Sequence, residues 1–169
     1  SRWYTGSGIY RNVKLITTSK AHVKQWGVYV KTPGITPQKA GVIIETSLVN
    51  EFNADTDLTV GNFFLFGSDT VMKINRSLFL SAKQDSTIRD SFEIKNPKLW
   101  DVDRPDLYKL LTIIKKDGKI LDNVTTRVGF RNIRFDPDKG FFLNGKNMKL
   151  KGVCLHHDHG PLGAAFFPR

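Results

Sequence analysis

The sequence predicts an all-β domain built as an antiparallel sandwich of short strands, and three observations carry that expectation. Apolar and polar residues alternate with period two in runs that turn residues interrupt every ~10 positions. No stretch shows a helical period of useful length, so strands follow strands and a parallel α/β sheet is disfavoured. The apolar residues include twelve Phe against two Met, a composition of rigid rings and branched aliphatics that suits a pleated surface.

Taken in order, residues 13–18 read as a first strand. Residues 22–32 read as the next, where Val28 and Val30 alternate with Gly27, Tyr29 and Lys31 until Pro33-Gly34 ends the run. A third starts at Val42-Ile43-Ile44 and reaches Phe52, and Asn53-Ala54-Asp55 breaks the chain before a fourth over 58–66. Gly67-Ser68-Asp69 is a turn, followed by two strand pieces at 71–74 and 78–82 and another strand at 88–94. Asn96-Pro97 closes it, because proline cannot donate to a ladder and restricts the residue before it. Asp117-Gly118, between strands at 107–116 and 119–128, readily takes the positive φ angles of a type I′ hairpin. A second hairpin joins 134–135 to 141–143 through Pro137-Asp138-Lys139-Gly140, and Asn144-Gly145 turns into an apolar strand over 148–154.

Hydrophobic residues make up 40% of the 169 and charged residues 25%, ordinary globular usage that permits a buried core and excludes wholesale disorder. Cys154 is the single cysteine, so no intrachain disulfide forms and the compartment stays open. No apolar run reaches the ~18 residues of a membrane span. The opening Ser1-Arg2-Trp3-Tyr4 has neither a starting Met nor a leader-like pattern, and the chain is expected to be a piece of a larger protein. A net charge of +10 invites a nucleic-acid reading. The basic residues are nevertheless spread along the chain, and the densest stretch, 131–151, mixes six of them with Asp136 and Asp138. Neither nucleic acid nor a membrane is therefore expected as a partner.

The chemistry-bearing cluster is His156-His157-Asp158-His159, three of the four histidines, close to Cys154. A structural zinc site brings two separated ligand pairs together, and only one cluster exists here, so no metal site is assigned. An exposed polar loop after a strand is the plain alternative. A third reading makes these residues substrate contacts, since imidazoles and a carboxylate at the C-terminal end of a buried strand suit sugar hydroxyls. Glycoside hydrolysis uses paired carboxylates. The three glutamates, Glu45, Glu51 and Glu93, all fall in or at the end of strands and read as solvent-facing sandwich residues. No Ser-His-Asp order or nucleophile elbow is present.

Several ordered motifs resemble one family. Gly129-Phe130-Arg131, Phe142-Leu143-Asn144-Gly145-Lys146, Lys151-Gly152-Val153 and His156 resemble the lead-in to the catalytic barrel of family 2 glycoside hydrolases. Leu99-Trp100 with Pro105-Asp106-Leu107-Tyr108 resembles the stretch before the last strand pair of that family's sandwich, and Arg2-Trp3-Tyr4 with Gly8-Ile9-Tyr10-Arg11 the close of its jelly roll. The resemblance implies an immunoglobulin-like antiparallel sandwich of about seven strands, with a C-terminal hairpin segment leading into a (β/α)8 barrel. Residues 1–17 would end a jelly-roll sugar-binding domain, 18–130 form the sandwich, and 131–169 give the lead-in and first strand of a truncated barrel. Leu155-His156-His157-Asp158 followed by Gly160-Pro161-Leu162-Gly163 looks most like the β-galactosidase branch, although glucuronidases and mannosidases share the framework.

The resemblance makes His156 a sugar contact near the reacting ring and Asp158 an acidic neighbour of the site. His157 falls where a glutamate is more usual. The acid/base and nucleophile glutamates of this retaining family lie on later barrel strands, so this stretch alone is expected to be inactive and to hold no catalytic residue. Asn50-Glu51 superficially echoes the acid/base motif from inside a sandwich strand and is rejected. No cofactor is expected in this stretch, with Mg or Na open for the parent enzyme. A β-galactoside or oligosaccharide is its expected partner, and a homo-oligomer and a bacterial cytoplasmic or periplasmic location both stay open. A non-catalytic immunoglobulin-like module binding carbohydrate or protein is the reading from a different class.

Overall fold

Seven strands form the sandwich: β1 (Ala21–Lys31), β2 (Lys39–Asn50), β3 (Thr56–Phe66), β4 (Asp69–Leu80), β5 (Asp85–Lys95), β6 (Tyr108–Lys116) and β7 (Lys119–Val128). One sheet has the order β1-β2-β5 and the other β4-β3-β6-β7, with every neighbouring pair antiparallel. The chain crosses between sheets after β2, β4 and β5, giving the Greek-key connectivity of an immunoglobulin-like sandwich. A third sheet, β10-β9-β8, comes from β8 (Ile133–Asp136), β9 (Gly140–Leu143) and β10 (Lys146–Asn147). This computed structural model describes residue 9 and residues 12–154, and all ten strands lie in the unit Thr18–Lys149. The second unit combines Ser1–Thr17 with Leu150–Arg169, and its described residues carry no strand.

The alternation read from the sequence becomes two inward faces. On β2 the residues Ala40, Val42, Ile44, Thr46, Leu48 and Asn50 are buried, each followed by a half-buried or exposed neighbour. The interior holds two apolar clusters. One gathers Ala40, Val42, Ile44, Phe64, Ile94, Tyr108, Leu110, Val128 and Phe130. In it Phe64 stacks on Tyr108 at 5.3 Å and meets Phe92 edge-on at 5.6 Å, favourable geometries for aromatic pairs. The other cluster gathers Ala21, Val23, Leu48, Leu58, Val60, Leu80 and Ile114.

Between the clusters runs a polar belt at the middle inward position of five strands: Thr46 on β2, Asn62 on β3, Arg76 on β4, Asp90 on β5 and Thr112 on β6. Thr112 Oγ1 donates to Asn62 Oδ1 at 2.7 Å, and Asn62 Nδ2 donates to Asp90 Oδ2 at 3.1 Å. The second Asp90 oxygen accepts from Arg76 Nε, so a carboxylate only 2% exposed is bonded on both oxygens. Buried polar groups persist when satisfied in this way. The Thr46 hydroxyl is the exception and has no partner among the described residues.

Hairpin chemistry sets the register. Asp117 and Gly118 have φ of 49° and 77°, the left-handed pair a type I′ turn requires. At the start of β6, Tyr108 accepts the Lys98 N–H on its hydroxyl at 2.9 Å, which ties the strand back to the preceding loop as a tyrosine corner does. Asn144 Nδ2 donates to the Trp100 carbonyl at 2.9 Å and its Oδ1 accepts the Asn132 N–H at 3.0 Å, fastening the small hairpin sheet to the sandwich.

Three expectations are corrected. Residues 13–18 form no strand, and Val13, Leu15 and Ile16 are 75%, 92% and 71% exposed; alternation alone does not hold an extended chain, and no strand among the described residues pairs with this run. The pieces at 71–74 and 78–82 are one continuous strand, because polar Asn75-Arg76-Ser77 pair with Gly61, Val60 and Thr59 on a sheet edge that tolerates solvent. The apolar run 148–154 likewise forms no strand, and Leu150 and Val153 lie exposed.

Candidate functional site

The three glutamates are all described, and the sheet geometry separates them. Glu45 faces outward on β2 in an ion pair with Lys31 at 3.3 Å, and Glu93 faces outward on β5 in one with Lys39 at 3.3 Å. Glu93 is opposite Gly41 on the neighbouring strand, four residues from Glu45 along β2, which places the two Cα atoms about 14 Å apart at roughly 3.4 Å per residue and 4.8 Å between strands. Glycosidic carboxylate pairs stand about 5–9.5 Å apart and face one bond, whereas these two are drawn to separate lysines, Lys31 and Lys39. Glu51 is six residues beyond Glu45 and farther still. Its neighbour Asn50 is engaged in holding the loop, with Nδ2 donating to the carbonyls of Ala54, Leu80 and Ser81 and Oδ1 accepting the Phe52 N–H. The rejected Asn50-Glu51 echo is thus a loop clasp.

A shallow depression of about 500 Å³ opens beside that clasp, lined by Lys20, Val49, Asn50, Glu51 and Lys83. Lys83 Nζ donates to the Glu51 carbonyl at 2.7 Å, so part of its charge is already committed to the backbone. Two carboxylates elsewhere are held below the ordinary aspartate range. Asp85 is lowered chiefly by the hydrogen bond and charge of Lys24. Asp136 is lowered chiefly by the Arg134 guanidinium at 2.7 Å and then by the Lys139 N–H. Both are exposed ion pairs on turns and strand ends rather than poised acids.

His156, His157 and Asp158 lie outside the described residues. Cys154, just before them, is described, exposed and a free thiol. No three His, Cys, Asp or Glu side chains converge among the described residues. The buried belt was overlooked in the sequence, although its signal was there: Thr46, Asn62, Asp90 and Thr112 each sit in phase with the buried apolar residues of their strand.

The sandwich is shared with known enzymes. The sequence pattern of Glycosyl hydrolases family 2 matches residues 21–131, which is the seven-stranded sandwich. The chain belongs to this family. A family 2 glycosyl hydrolase member from Bacteroides cellulosilyticus superposes with a TM-score of 0.84 at 37% identity, covering 98% of this chain and 22% of that one. A beta-galactosidase of Bacteroides ovatus is 40% identical over 98% of this chain and 20% of its own length. A beta-glucuronidase of Bacteroides fragilis is 34% identical over 96% of this chain and 24% of its own. The family 2 chain described here therefore spans about a fifth of the length of such relatives.

Proposed function

We propose that this family 2 sandwich serves a retaining glycoside hydrolase that removes terminal β-D-galactosyl residues, bracing a sugar-binding jelly roll against a catalytic barrel. The observation that supports the reading best is the 40% identity to a beta-galactosidase across 98% of the chain. The reaction is double displacement through a covalent glycosyl-enzyme, with one glutamate as nucleophile and another as acid/base. In this reading that pair lies in other parts of the whole protein, and the outward ion pairs of Glu45 and Glu93 with separate lysines support it. His156 and Asp158 take substrate hydroxyls in this reading, with His157 beside them. Residues 1–17, 18–130 and 131–169 divide between jelly roll, sandwich and barrel lead-in.

A second reading, β-glucuronidase, is favoured by the Bacteroides fragilis relative. One experiment separates them: the whole protein carrying this stretch is assayed on p-nitrophenyl β-D-galactoside and β-D-glucuronide, with the anomer of the first product followed by NMR. Turnover of the galactoside with retained configuration is expected, and preference for the glucuronide overturns the galactoside reading. Residues 1–169 alone should turn over neither, and hydrolysis by them would point to a catalytic pair within this chain.

A further inference from the structure

Two aromatic rings stand exposed on the edge strand β1, Trp26 at 91% and Tyr29 at 56%. Trp26 holds φ of 58°, a region strained for a bulky side chain and most often retained where function requires it. A bulge imposes it: the register jumps from Val23 opposite Leu48 to Val28 opposite Thr46, so residues 24–27 share Ser47 as their partner. Gly27 makes the bulge possible, since a β-carbon there would lie 2.7 Å from the Ser47 carbonyl oxygen and 2.6 Å from that of Lys24.

The outer face beside these rings has a definite chemistry. Tyr29, Glu45 and Arg89 form one row across β1, β2 and β5. The next row joins Ser47 to Thr87, whose hydroxyls bond each other at 2.8 Å. Lys31 reaches Glu45 at 3.3 Å and stands over the Tyr29 ring at 5.2 Å. Arg89 makes no ion pair among the described residues. The two rows are two residues apart on β2, roughly 7 Å, a span that suits one or two linked pyranose rings.

A protein-docking patch has an apolar, charge-depleted centre. Here Tyr29 stands among hydroxyls, a carboxylate, an ammonium and a guanidinium, with Trp26 exposed three residues before it on β1, a set that matches a ligand with an apolar C–H face and a rim of hydroxyls. We propose that the outer face of β1-β2-β5 is a saccharide-binding platform for a β-linked, galactose-containing chain. Trp26 and Tyr29 stack on successive rings, and Glu45 and Arg89 take up hydroxyls. The choice of galactose rests on the proposed function; the platform does not.

Affinity electrophoresis toward the cathode, suited to a chain with net charge +10, tests it with soluble β-1,4-galactan in the gel. The chain should be retarded, with affinity falling about tenfold or more in Trp26→Gly, which relieves the backbone strain, and in Tyr29→Ala. Phe79→Ala, an exposed ring on β4, should migrate like wild type. Equal mobility with and without every polysaccharide tried, or full retardation of Trp26→Gly, overturns the platform. Trp26-dependent retardation by a β-glucan but not by galactan keeps the platform and removes the galactose assignment. Binding is read without hydrolysis, so its failure is distinct from failure of the galactosidase reading.

Discussion

Thr46 and Asp90 sit in the same buried belt, one with an unpartnered hydroxyl and the other bonded on both carboxylate oxygens. A buried hydroxyl without a partner costs stability, whereas a shape-matched apolar group restores dispersion contacts and suits a strand. Thr46→Val should therefore be neutral or raise stability by up to about 1 kcal/mol in urea unfolding; a clear loss would mean the hydroxyl has a partner in solution. Asp90→Ala acts oppositely, leaving Asn62 Nδ2 and Arg76 without their acceptor. Arg76 is half exposed and regains water, so the expected loss is about 2–3 kcal/mol, short of the cost for a fully buried pair. A change below about 0.5 kcal/mol would show that the belt contributes only shape.

At the scale of elements, turns and strand ends were the most legible features. Asp117-Gly118 and Pro137-Asp138-Lys139-Gly140 became hairpins because their side chains and φ preferences act within a few residues. The corrected runs, 13–18 and 148–154, depend on partners that no local pattern reports. In the second hairpin Asp136 accepts the N–H groups of Asp138 and Lys139 at 3.1 and 3.0 Å and pairs with Arg134. Its carboxyl is lowered in the fold, so the stabilisation it gives is present above the ordinary aspartate range and is lost as pH falls through the lower folded value. A carboxyl NMR titration should put the Asp136 midpoint below that of a free aspartate, moving back toward it in Arg134→Gln; an unshifted midpoint in wild type would refute the turn clasp. On β1, Gly27→Ala drives a β-carbon against two backbone oxygens at 2.6 and 2.7 Å. Neither can swing aside as a side chain does, so about 2 kcal/mol or more should be lost, and the drop should appear as an earlier midpoint in thermal unfolding.

For the whole molecule, the sandwich was readable because period-two alternation at regular spacing admits few architectures once helices are excluded. The two-sheet strand order and the Trp26 bulge were not, since they follow from which strands meet. The candidate substrate residues His156 and Asp158 rest on motif alone and lie outside the described residues. The polar belt has a consequence for anyone redesigning this domain. It partitions the interior into two rooms with a hydrogen-bonded wall between them, and each room can be refurnished without retuning the other. Val42→Ala in one and Leu58→Ala in the other should lower stability by amounts that sum within about 0.5 kcal/mol in the double variant. Val28, which packs against both clusters, is the doorway; replacements there should couple to both rooms at once.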